Sequence, residues 1–287
     1  MKPFYLTPQA LTDFIKSALR EDVGDGDHSS LASIPAEAQN QARLLVKDNG
    51  ILAGVELDEM IFKEVDPNLK VEVLIKDGST VKVGDVALTV SGKAQSILTS
   101  ERLVLNCMQR MSGIATFTNR LVKMLEGTNT RLLDTRKTTP NFRICEKWAV
   151  LIGGGQNHRY GLYDMVMLKD NHIDYAGGIE KAVKATHEYL KRQGKDLKIE
   201  VETRNLDEVK QAVEVGGIHR IMLDNMTPAM MKEAVQLIGG RYETEASGGI
   251  TDQTLREVAE TGVDFISVGA LTHSIKSLDL SLKAVKV

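Results

Sequence analysis

The sequence predicts an α/β protein whose second part is a barrel of parallel strands. From about residue 130, short apolar strands alternate with amphipathic helices, whereas the first 112 residues are rich in strands and turns. Polar residues end successive strands at positions 202, 224, 247 and 269, a period of about 22 residues that suits one strand and one helix. Near-continuous apolar strands with helices between them favour parallel pairing.

Composition narrows the class of partner. The 287 residues suit one large domain or two smaller ones, and a hydrophobic content of 42% is enough for a substantial core. The net charge is −3, so the overall charge does not indicate nucleic acid or an anionic membrane as a partner. The first residues carry charges and prolines where a signal peptide would be apolar, and no apolar run is long enough to predict a membrane span.

The first region is predicted to begin with a helix and to continue as strands. Thr7 is placed to cap a helix that starts at Pro8. The stretches "ARLLVKDNGILAG" and "KVEVLIKDGSTVKVGDVALTVSG" alternate apolar and polar residues between turns, which predicts a small open sandwich or a lipoyl-like barrel. A second helix is predicted over residues 97–116.

Six strand-and-helix units are predicted after residue 130. Their strands are "RLLD", "DMVMLKD", "KIEVET", "HRIMLDN", "YETEASGG" and "DFISVGA". Six units predict a closed or nearly closed α/β barrel that is smaller than the eight-stranded form. A doubly wound open sheet is the alternative.

Five cations are expected at one end of this barrel, where the strands end and where α/β barrels carry their functional groups. They follow the first strand or flank the second: Arg136, Lys137, His158, Arg159 and Lys169. Such a cluster in a mildly acidic protein predicts a ligand with several negative charges. The simpler alternative is that each cation forms an ion pair within the protein, as Lys169 would with Asp170 or Asp174.

Two carboxylates are predicted beside these cations. Glu202 and Asp224 end neighbouring strands, and Glu200 lies on the same strand face as Glu202. Carboxylates at this position suit either ribose hydroxyls or a Mg²⁺ ion carried by substrate phosphates. Internal salt bridges with Lys169 or Arg159 are the structural alternative.

Two successive loops have the composition of a phosphate site. Glycine turns after a strand present backbone N–H groups to an anion, and the last two units of a barrel commonly do so. The helix after the first loop is predicted to begin at Thr251. The predicted phosphate residues are Ser247, Gly248 and Gly249 in the first loop and Val268, Gly269 and Ala270 in the second.

Taken in order, these motifs resemble the quinolinate phosphoribosyltransferase family, also called carboxylating nicotinate-nucleotide pyrophosphorylases. The stretches that carry the resemblance include "LLDTRKTTP", "GGGQNHRYGL", "MLKDNH", "IMLDN", "EASGGI" and "VGALTHS". The resemblance covers almost the whole chain. It implies an N-terminal α/β sandwich domain over residues 1–112, an open, TIM-like α/β barrel of about six to seven strands over residues 113–273, and a segment, residues 274–287, that returns to the first domain.

The resemblance also implies a reaction. Quinolinate and phosphoribosyl pyrophosphate would give nicotinate mononucleotide, pyrophosphate and CO₂ in de novo NAD synthesis, with Mg²⁺ and no organic cofactor. The alternatives are a pyridine-acid phosphoribosyltransferase that does not decarboxylate, which would need fewer cations around its base, and a non-catalytic paralogue that binds anions.

Roles for individual residues come from the same resemblance. The residues implied to bind quinolinate are Arg102, Thr135, Arg136, Lys137, His158, Arg159 and Lys169. Glu202 and Asp224 are implied to hold ribose and Mg²⁺, and the two glycine loops are implied to hold phosphate. Lys137, Lys169, Glu202 and Asp224 are the catalytic candidates, with Lys137 or Lys169 serving the decarboxylation step.

Self-association is the remaining expectation. The resemblance implies a dimer or hexamer in which Arg102 of one subunit completes the site of its neighbour. The two cysteines, Cys107 and Cys145, match no metal spacing and no disulfide framework, so a reducing, cytoplasmic setting is expected.

Overall fold

The computed structural model describes residues 2–285, which form two compact units. Unit 1 consists of Met1–Asn119, Thr138–Gly154 and Ala270–Val287, and unit 2 consists of Arg120–Lys137 and Gly155–Gly269. The chain therefore passes from one unit to the other four times. The predicted boundary after residue 112 falls inside one continuous helix, because apolar helical spacing continues as far as Met124.

The secondary structure is numbered in chain order. The helices are α1 Pro8–Val23, α2 His28–Ser33, α3 Val55–Val65, α4 Ala94–Met124, α5 Arg143–Ile152, α6 Asp170–Ala176, α7 Ile179–Gln193, α8 Leu206–Val215, α9 Pro228–Ile238, α10 Leu255–Ala259 and α11 Ala270–His273. The strands are β1 Gln39–Val46, β2 Gly50–Ile51, β3 Lys70–Val73, β4 Thr80–Val81, β5 Val86–Lys93, β6 Arg131–Leu133, β7 Val166–Leu168, β8 Ile199–Thr203, β9 Arg220–Asp224, β10 Glu243–Ser247, β11 Phe265–Ser267 and β12 Leu280–Ala284. Within residues 2–285, no helix combines the length and apolarity that a bilayer crossing requires.

Unit 2 is the predicted α/β barrel. Its six strands form one parallel sheet in the order β6-β11-β10-β9-β8-β7, which confirms the six predicted strands. All five residues of β8 are buried, as expected for a parallel strand covered on both faces. Among the described residues, β6 and the segment before β7 are joined only by an isolated bridge between Leu133 and Gln156, so the barrel is open.

The helix after β10 begins later than the sequence predicts. Thr251 was expected to cap it, but α10 begins at Leu255 and its N-cap residue is Thr254. Thr251 instead starts a turn. Its carbonyl oxygen accepts hydrogen bonds from the N–H groups of Thr254 and Leu255, at 3.2 and 2.9 Å respectively. The loop after β10 is therefore longer than expected.

Unit 1 contains an antiparallel sheet of four strands in the order β12-β1-β5-β3. The middle of the sheet is apolar, with Leu44 of β1 opposite both Leu88 of β5 and Leu282 of β12. All three leucines are buried. The C-terminal strand β12 thus belongs to the sheet that the first region of the chain begins.

Helices α3 and α5 are among those of unit 1 that were not predicted, and the reasons differ. Residues 144–150 of α5 are all buried, including the charged Glu146 and Lys147, so its charged residues do not mark a side that faces solvent. Helix α3 begins after Gly54, which has no side chain to cap it. By contrast, α1 was predicted from its cap, and Thr7 does accept a hydrogen bond from the Ala10 N–H at 3.1 Å.

Helix α3 is capped by a distant carboxylate. Asp77 accepts hydrogen bonds from the backbone N–H groups of Gly54, Val55 and Glu56 at 2.7, 2.9 and 3.2 Å. Those groups are the donors that the first turn of a helix cannot satisfy internally. One turn further on, Asp58 is fully buried, and neither of its carboxyl oxygens has a hydrogen-bond partner among the described residues. Burial, with the nearby charge of Asp77, raises the pKa of Asp58 well above its usual range.

We expect Asp58→Asn to stabilise the protein at neutral pH. Because the pKa of Asp58 is raised in the folded state, its penalty is absent at acid pH and grows as the pH rises above the unfolded-state pKa. The amide is neutral at every pH, so the variant should gain about 1–3 kcal/mol at about pH 8 and much less at about pH 5. Urea unfolding at the two pH values measures the difference.

Asp77→Ala is the control, because it leaves three N–H groups of α3 without their acceptor and should cost about 1–2 kcal/mol at the higher pH. Equal destabilisation by both substitutions at that pH would contradict the account of Asp58.

Candidate active site at the strand ends of unit 2

Three neighbouring strands of unit 2 present polar side chains on one face near their ends. Glu202 lies in β8, Asp224 ends β9 and Ser247 ends β10. Asp224 pairs with Ser247, and Glu202 pairs with Met222, two residues before Asp224. Because side chains alternate along a strand, these pairings put all three polar groups on the same face. The strand-end location predicted for the two acids and the serine is confirmed.

Asp134 holds the two cation-bearing loops together. Its buried carboxylate accepts hydrogen bonds from the His158 backbone N–H at 2.8 Å and from the Asn157 side-chain amide at 2.6 Å. Its own N–H donates to the Gln156 carbonyl oxygen at 3.1 Å. The segment after β6, which carries Arg136, is therefore fixed beside the loop that precedes β7.

Arg136 and Arg159 are close enough to repel each other. Burial lowers the pKa of Arg159, and the positive charge of Arg136 lowers it further, while Glu200 and Asp164 oppose the shift. Arg159 donates from Nη1 to the Met165 carbonyl oxygen at 3.2 Å, which fixes the direction of its side chain. Two guanidinium groups near enough to affect each other's charge suit a ligand with more than one carboxylate.

The other two predicted basic ligands, Lys169 and Lys137, differ in their contacts. Lys169, at the end of β7, forms an ion pair with Glu202, with Nζ and Oε2 3.5 Å apart. The alternative pairing of Lys169 with Asp174 is not seen, because Asp174 binds Arg204 instead. Lys137 is exposed, and its backbone N–H donates to the Thr135 hydroxyl at 3.0 Å.

His158 differs from the other predicted substrate-binding residues. Its side chain is only 5% exposed, and its Nε2 lies 2.9 Å from Glu200 and 3.3 Å from Glu245. The imidazole therefore points into the barrel, below the strand ends. Direct contact between His158 and a substrate stays a prediction, and this burial argues against it.

The first predicted phosphate loop is built around Gly248. A Cβ at this position would lie 2.3 Å from Asn225 Oδ1, and its φ of 89° is unfavourable for any other residue. Asn225 itself has a φ of 53°, and its side-chain amide donates to Asp224 Oδ2 at 2.7 Å. Gly248 thus leaves the space in which Asn225 holds the carboxylate of Asp224. Gly249 also has a positive φ, and a Cβ there would meet no atom within 4 Å.

The second predicted phosphate loop joins the two units along the chain. Val268 donates its N–H to the Leu133 carbonyl oxygen at 3.0 Å and is buried, and Gly269 follows it. Ala270 begins α11. Helices α10 and α11 have only five and four residues, so neither has a long helix dipole. Any phosphate would therefore be bound by the N–H groups of the loops.

Arg102 is the predicted site residue that lies furthest from the others in the chain. It is an exposed residue of α4, within the first segment of unit 1. Apart from Arg102 and Ala270, all the predicted site residues belong to unit 2.

Glu202 and Asp224 suit a magnesium ion that is carried by its substrate. Both offer hard oxygen ligands. Among residues 2–285, the only three metal-binding side chains within reach of one another are those of His158, Glu200 and Glu245. Two carboxylates without a third protein ligand match the way Mg²⁺ binds with substrate phosphates. The buried trio suits an added cation poorly, because the Arg220 guanidinium already lies 2.8 Å from Glu245.

Several residues of the site had only weak signals in the sequence. Asp134 acts through hydrogen bonds to Asn157 and His158, and the Asn225 backbone N–H donates to the Ser247 carbonyl oxygen, so the partners of both are distant in the chain. Glu245 and Arg220 belong to strands, where the alternating glutamates of "YETEAS" and the single arginine of "HRIMLD" were the available signals. A charge within a buried strand indicates a partner but does not identify it.

Comparison with known proteins gives a consistent result. Two family models match the chain: Quinolinate phosphoribosyl transferase, N-terminal domain, over residues 27–112, and Quinolinate phosphoribosyl transferase, C-terminal domain, over residues 114–283. A chloroplastic nicotinate-nucleotide pyrophosphorylase [carboxylating] of Arabidopsis thaliana is 51% identical over 94% of this chain and 81% of its own length.

A bacterial relative and a solved structure extend the comparison. A probable nicotinate-nucleotide pyrophosphorylase [carboxylating] of Synechocystis is 42% identical over 98% of this chain and 95% of its own. The crystal structure of NadC from Streptococcus pyogenes superposes with a TM-score of 0.91 at 39% identity, covering 98% of this chain and 99% of that one.

We expect Gly248→Ala to weaken binding of phosphoribosyl pyrophosphate by at least about tenfold. The new methyl group would displace Asn225 and release the Asp224 carboxylate, with backbone strain of about 1–3 kcal/mol in addition. Calorimetric titration measures the affinity. Gly249→Ala adds strain but no collision and is the control, so equal losses in the two variants would contradict the role given to Asn225.

Proposed function

This chain belongs to the quinolinate phosphoribosyltransferase family, and we propose that it performs the family reaction with the strand-end groups of unit 2. It transfers the phosphoribosyl group of phosphoribosyl pyrophosphate to quinolinate and removes one carboxylate, giving nicotinate mononucleotide, pyrophosphate and CO₂ for NAD synthesis. The observation that carries the proposal is the nearly complete coverage of the chain by the two family models.

Quinolinate binds through cations that repel one another without it. The positive charges of Arg136 and Arg159 repel each other, and a dicarboxylate bound by both replaces this repulsion with charge-assisted hydrogen bonds of about 1.5–3 kcal/mol each. Lys169 and the Thr135 hydroxyl complete the grip on the second carboxylate. The neutralisation of two adjacent guanidinium groups is what favours a diacid over a pyridine with one carboxylate.

The sugar pyrophosphate occupies the glycine loops and the acids. Ser247, Gly248 and Gly249, with residues 268–270, bind the 5′-phosphate through backbone N–H groups. Glu202 and Asp224 face the ribose. The bond from C1′ to the pyrophosphate oxygen breaks, the oxygen keeps the electron pair, and the ring nitrogen of quinolinate bonds to C1′. The two carboxylates stabilise the positive charge that develops on the sugar.

Decarboxylation then uses the charge on the ring nitrogen. The bond between C2 and its carboxylate breaks, CO₂ departs, and the electron pair remains on C2 beside the cationic nitrogen. A proton replaces the carboxylate. Lys137 and Lys169 are the two ammonium groups proposed to stabilise this carbanion and to supply the proton.

Magnesium is proposed to enter with the pyrophosphate. Glu202 and Asp224 would hold it, directly or through water, and when bound it would neutralise charge on the leaving group. Glu202 remains paired with Lys169, so the lysine offsets part of the carboxylate's charge when no ion is bound.

Self-association is proposed to complete the site, as a dimer or a higher assembly of dimers. The support is that Arg102 is exposed on α4, whereas the other quinolinate ligands lie in unit 2. Arg102 of one subunit would bind quinolinate in its neighbour. A cytoplasmic location is also proposed, supported by two buried cysteines that are not joined in a disulfide.

Release of ¹⁴CO₂ from quinolinate labelled at the 2-carboxylate tests the reaction. We expect release to require phosphoribosyl pyrophosphate and Mg²⁺ and to equal the nicotinate mononucleotide formed. Glu202→Gln protein, purified in the same way, should be slower by about 100-fold, which excludes a contaminating enzyme. A ribosylated product without CO₂ would indicate a transferase that does not decarboxylate, and quinolinate binding without turnover would refute the enzymatic function.

Mixing two inactive variants tests the shared site. Under this proposal, Arg102 and Lys137 reach one site from different subunits, so a dimer with one Arg102→Ala and one Lys137→Ala subunit has one intact site. Random mixing in equal amounts should therefore restore about a quarter of wild-type activity. A mixture of Lys137→Ala with Glu202→Gln is the control, because both residues come from unit 2 of one subunit and no intact site can form. Recovery in the control mixture, or none in the test mixture, would contradict the assignment of Arg102 to the neighbour.

A further inference from the structure

A layer of charged side chains lies inside the barrel, directly below the strand-end acids. Glu200 precedes Glu202 by two residues in β8, and Glu245 precedes Ser247 by two residues in β10, so each shares a strand face with its successor. Both carboxylates are fully buried. Buried charges are expensive unless they are paired, so this layer requires an explanation that the reaction as described does not give.

The contacts of the layer form one connected group. His158 Nε2 lies 2.9 Å from Glu200 Oε2 and 3.3 Å from Glu245 Oε2. Arg220 Nη1 lies 2.8 Å from the same oxygen of Glu245, and its guanidinium stacks over the Phe265 ring at 4.1 Å. We call His158, Glu200, Glu245 and Arg220 the buried tetrad.

The tetrad is neutral when it holds one proton between His158 and Glu200. Two carboxylates and one guanidinium leave a single negative charge to offset. Burial alone would lower the pKa of His158, but its contacts with Glu200 and Glu245 outweigh burial and raise that pKa to about 9. Burial and the charge of Glu245 raise the pKa of Glu200. Because His158 Nδ1 accepts the Arg159 N–H, the ring hydrogen of His158 lies on Nε2, towards Glu200 and Glu245.

The tetrad is linked to the strand ends through the backbone of His158. The His158 backbone N–H donates to Asp134, and the Arg159 backbone N–H donates to His158 Nδ1 at 2.7 Å. The imidazole is thus held at one nitrogen by the buried carboxylates and at the other by the residue that follows it. Glu200 also acts on Arg159 directly, since its charge opposes the loss of a proton from that guanidinium.

We propose that Glu200, with Glu245 and Arg220, is a positioning residue for quinolinate: the buried tetrad fixes the His158 ring, and the ring fixes the backbone that aims Arg159 at the substrate. This inference rests on the proposed role of Arg159 in binding quinolinate. Glu200 touches neither substrate, so its effect is exerted on the binding of one substrate and not on the chemical step.

Glu200→Gln tests the proposal, because the amide keeps the size of the side chain and removes its charge. The KM for quinolinate should rise by at least about tenfold, since a guanidinium displaced by a fraction of an ångström loses its carboxylate. The KM for phosphoribosyl pyrophosphate and kcat should change by less than about twofold, because a loss of uniform binding raises KM alone. Steady-state kinetics with each substrate varied in turn gives both values.

Glu243→Gln is the matched control. Glu243 Oε2 also accepts from the Arg220 guanidinium, at 3.0 Å, but its side chain is 42% exposed, whereas Glu200 is fully buried. Its substitution removes a charge from the same arginine and should leave both KM values near those of the wild type. A rise in the KM for quinolinate as large as that of Glu200→Gln would show that the effect does not depend on the buried carboxylate beside His158, and would overturn the proposal.

A spectroscopic signal of His158 separates positioning from general damage. In protein labelled with ¹⁵N-histidine, the ring resonance of His158 is the one that disappears in His158→Asn. This resonance should show a hydrogen-bonded Nε2 proton. It should shift in Glu200→Gln but not in Glu243→Gln. If Glu200→Gln does not fold, Glu200→Asp keeps the charge, shortens the reach and should give a smaller rise in the KM for quinolinate.

Three results would overturn the inference: an unchanged KM for quinolinate, an equal rise in both KM values with a lower melting temperature, or an unchanged histidine resonance. A wild-type protein that binds quinolinate without turnover would instead refute the proposed function. In that case the dissociation constant for quinolinate in the same variants would take the place of KM.

Discussion

On the open side of the barrel, one buried carboxylate reinforces an isolated backbone bridge. No ladder of strand hydrogen bonds joins β6 to β7 among the described residues, and Asp134 supplies the connection with hydrogen bonds to Asn157 and His158. An ionised acid that accepts several N–H groups is both strongly held and directional. The cations after β6 and before β7 therefore keep a fixed separation even though their strands are not neighbours in the sheet.

Electrostatic compensation explains why a protein of net charge −3 can keep several cations at one end of a barrel. The strand ends carry arginines and lysines, and the layer beneath them carries buried carboxylates with one arginine of their own. The charge of Glu200 in the lower layer opposes the loss of a proton from Arg159 in the upper layer, and such an interaction is strong in a medium of low polarity. A dianionic substrate supplies the remainder when it binds.

Much of unit 2 could be predicted because its signals are local. Each strand is an apolar run of a few residues that ends in a polar one, so both the strand and the position of Glu202 or Asp224 follow from short stretches. The position of His158 could not be predicted in the same way, because the direction of its ring depends on Glu200 and Glu245, which follow it by more than 40 residues. In unit 1, α5 was missed because its charged residues Glu146 and Lys147 are buried and therefore do not mark a side that faces solvent.

The course of the chain also limits when the protein can fold during synthesis. Strand β1 lies between β5 and β12, and its residue Leu44 pairs with Leu282. Until the last residues leave the ribosome, one edge of β1 lacks its partner, and an unpaired apolar edge can pair with the same strand of another nascent chain. Unit 2 is complete in the sequence at Gly269, before the final segment of unit 1. The barrel can therefore form before the antiparallel sheet, which must wait for β12 although its first strands are made earliest.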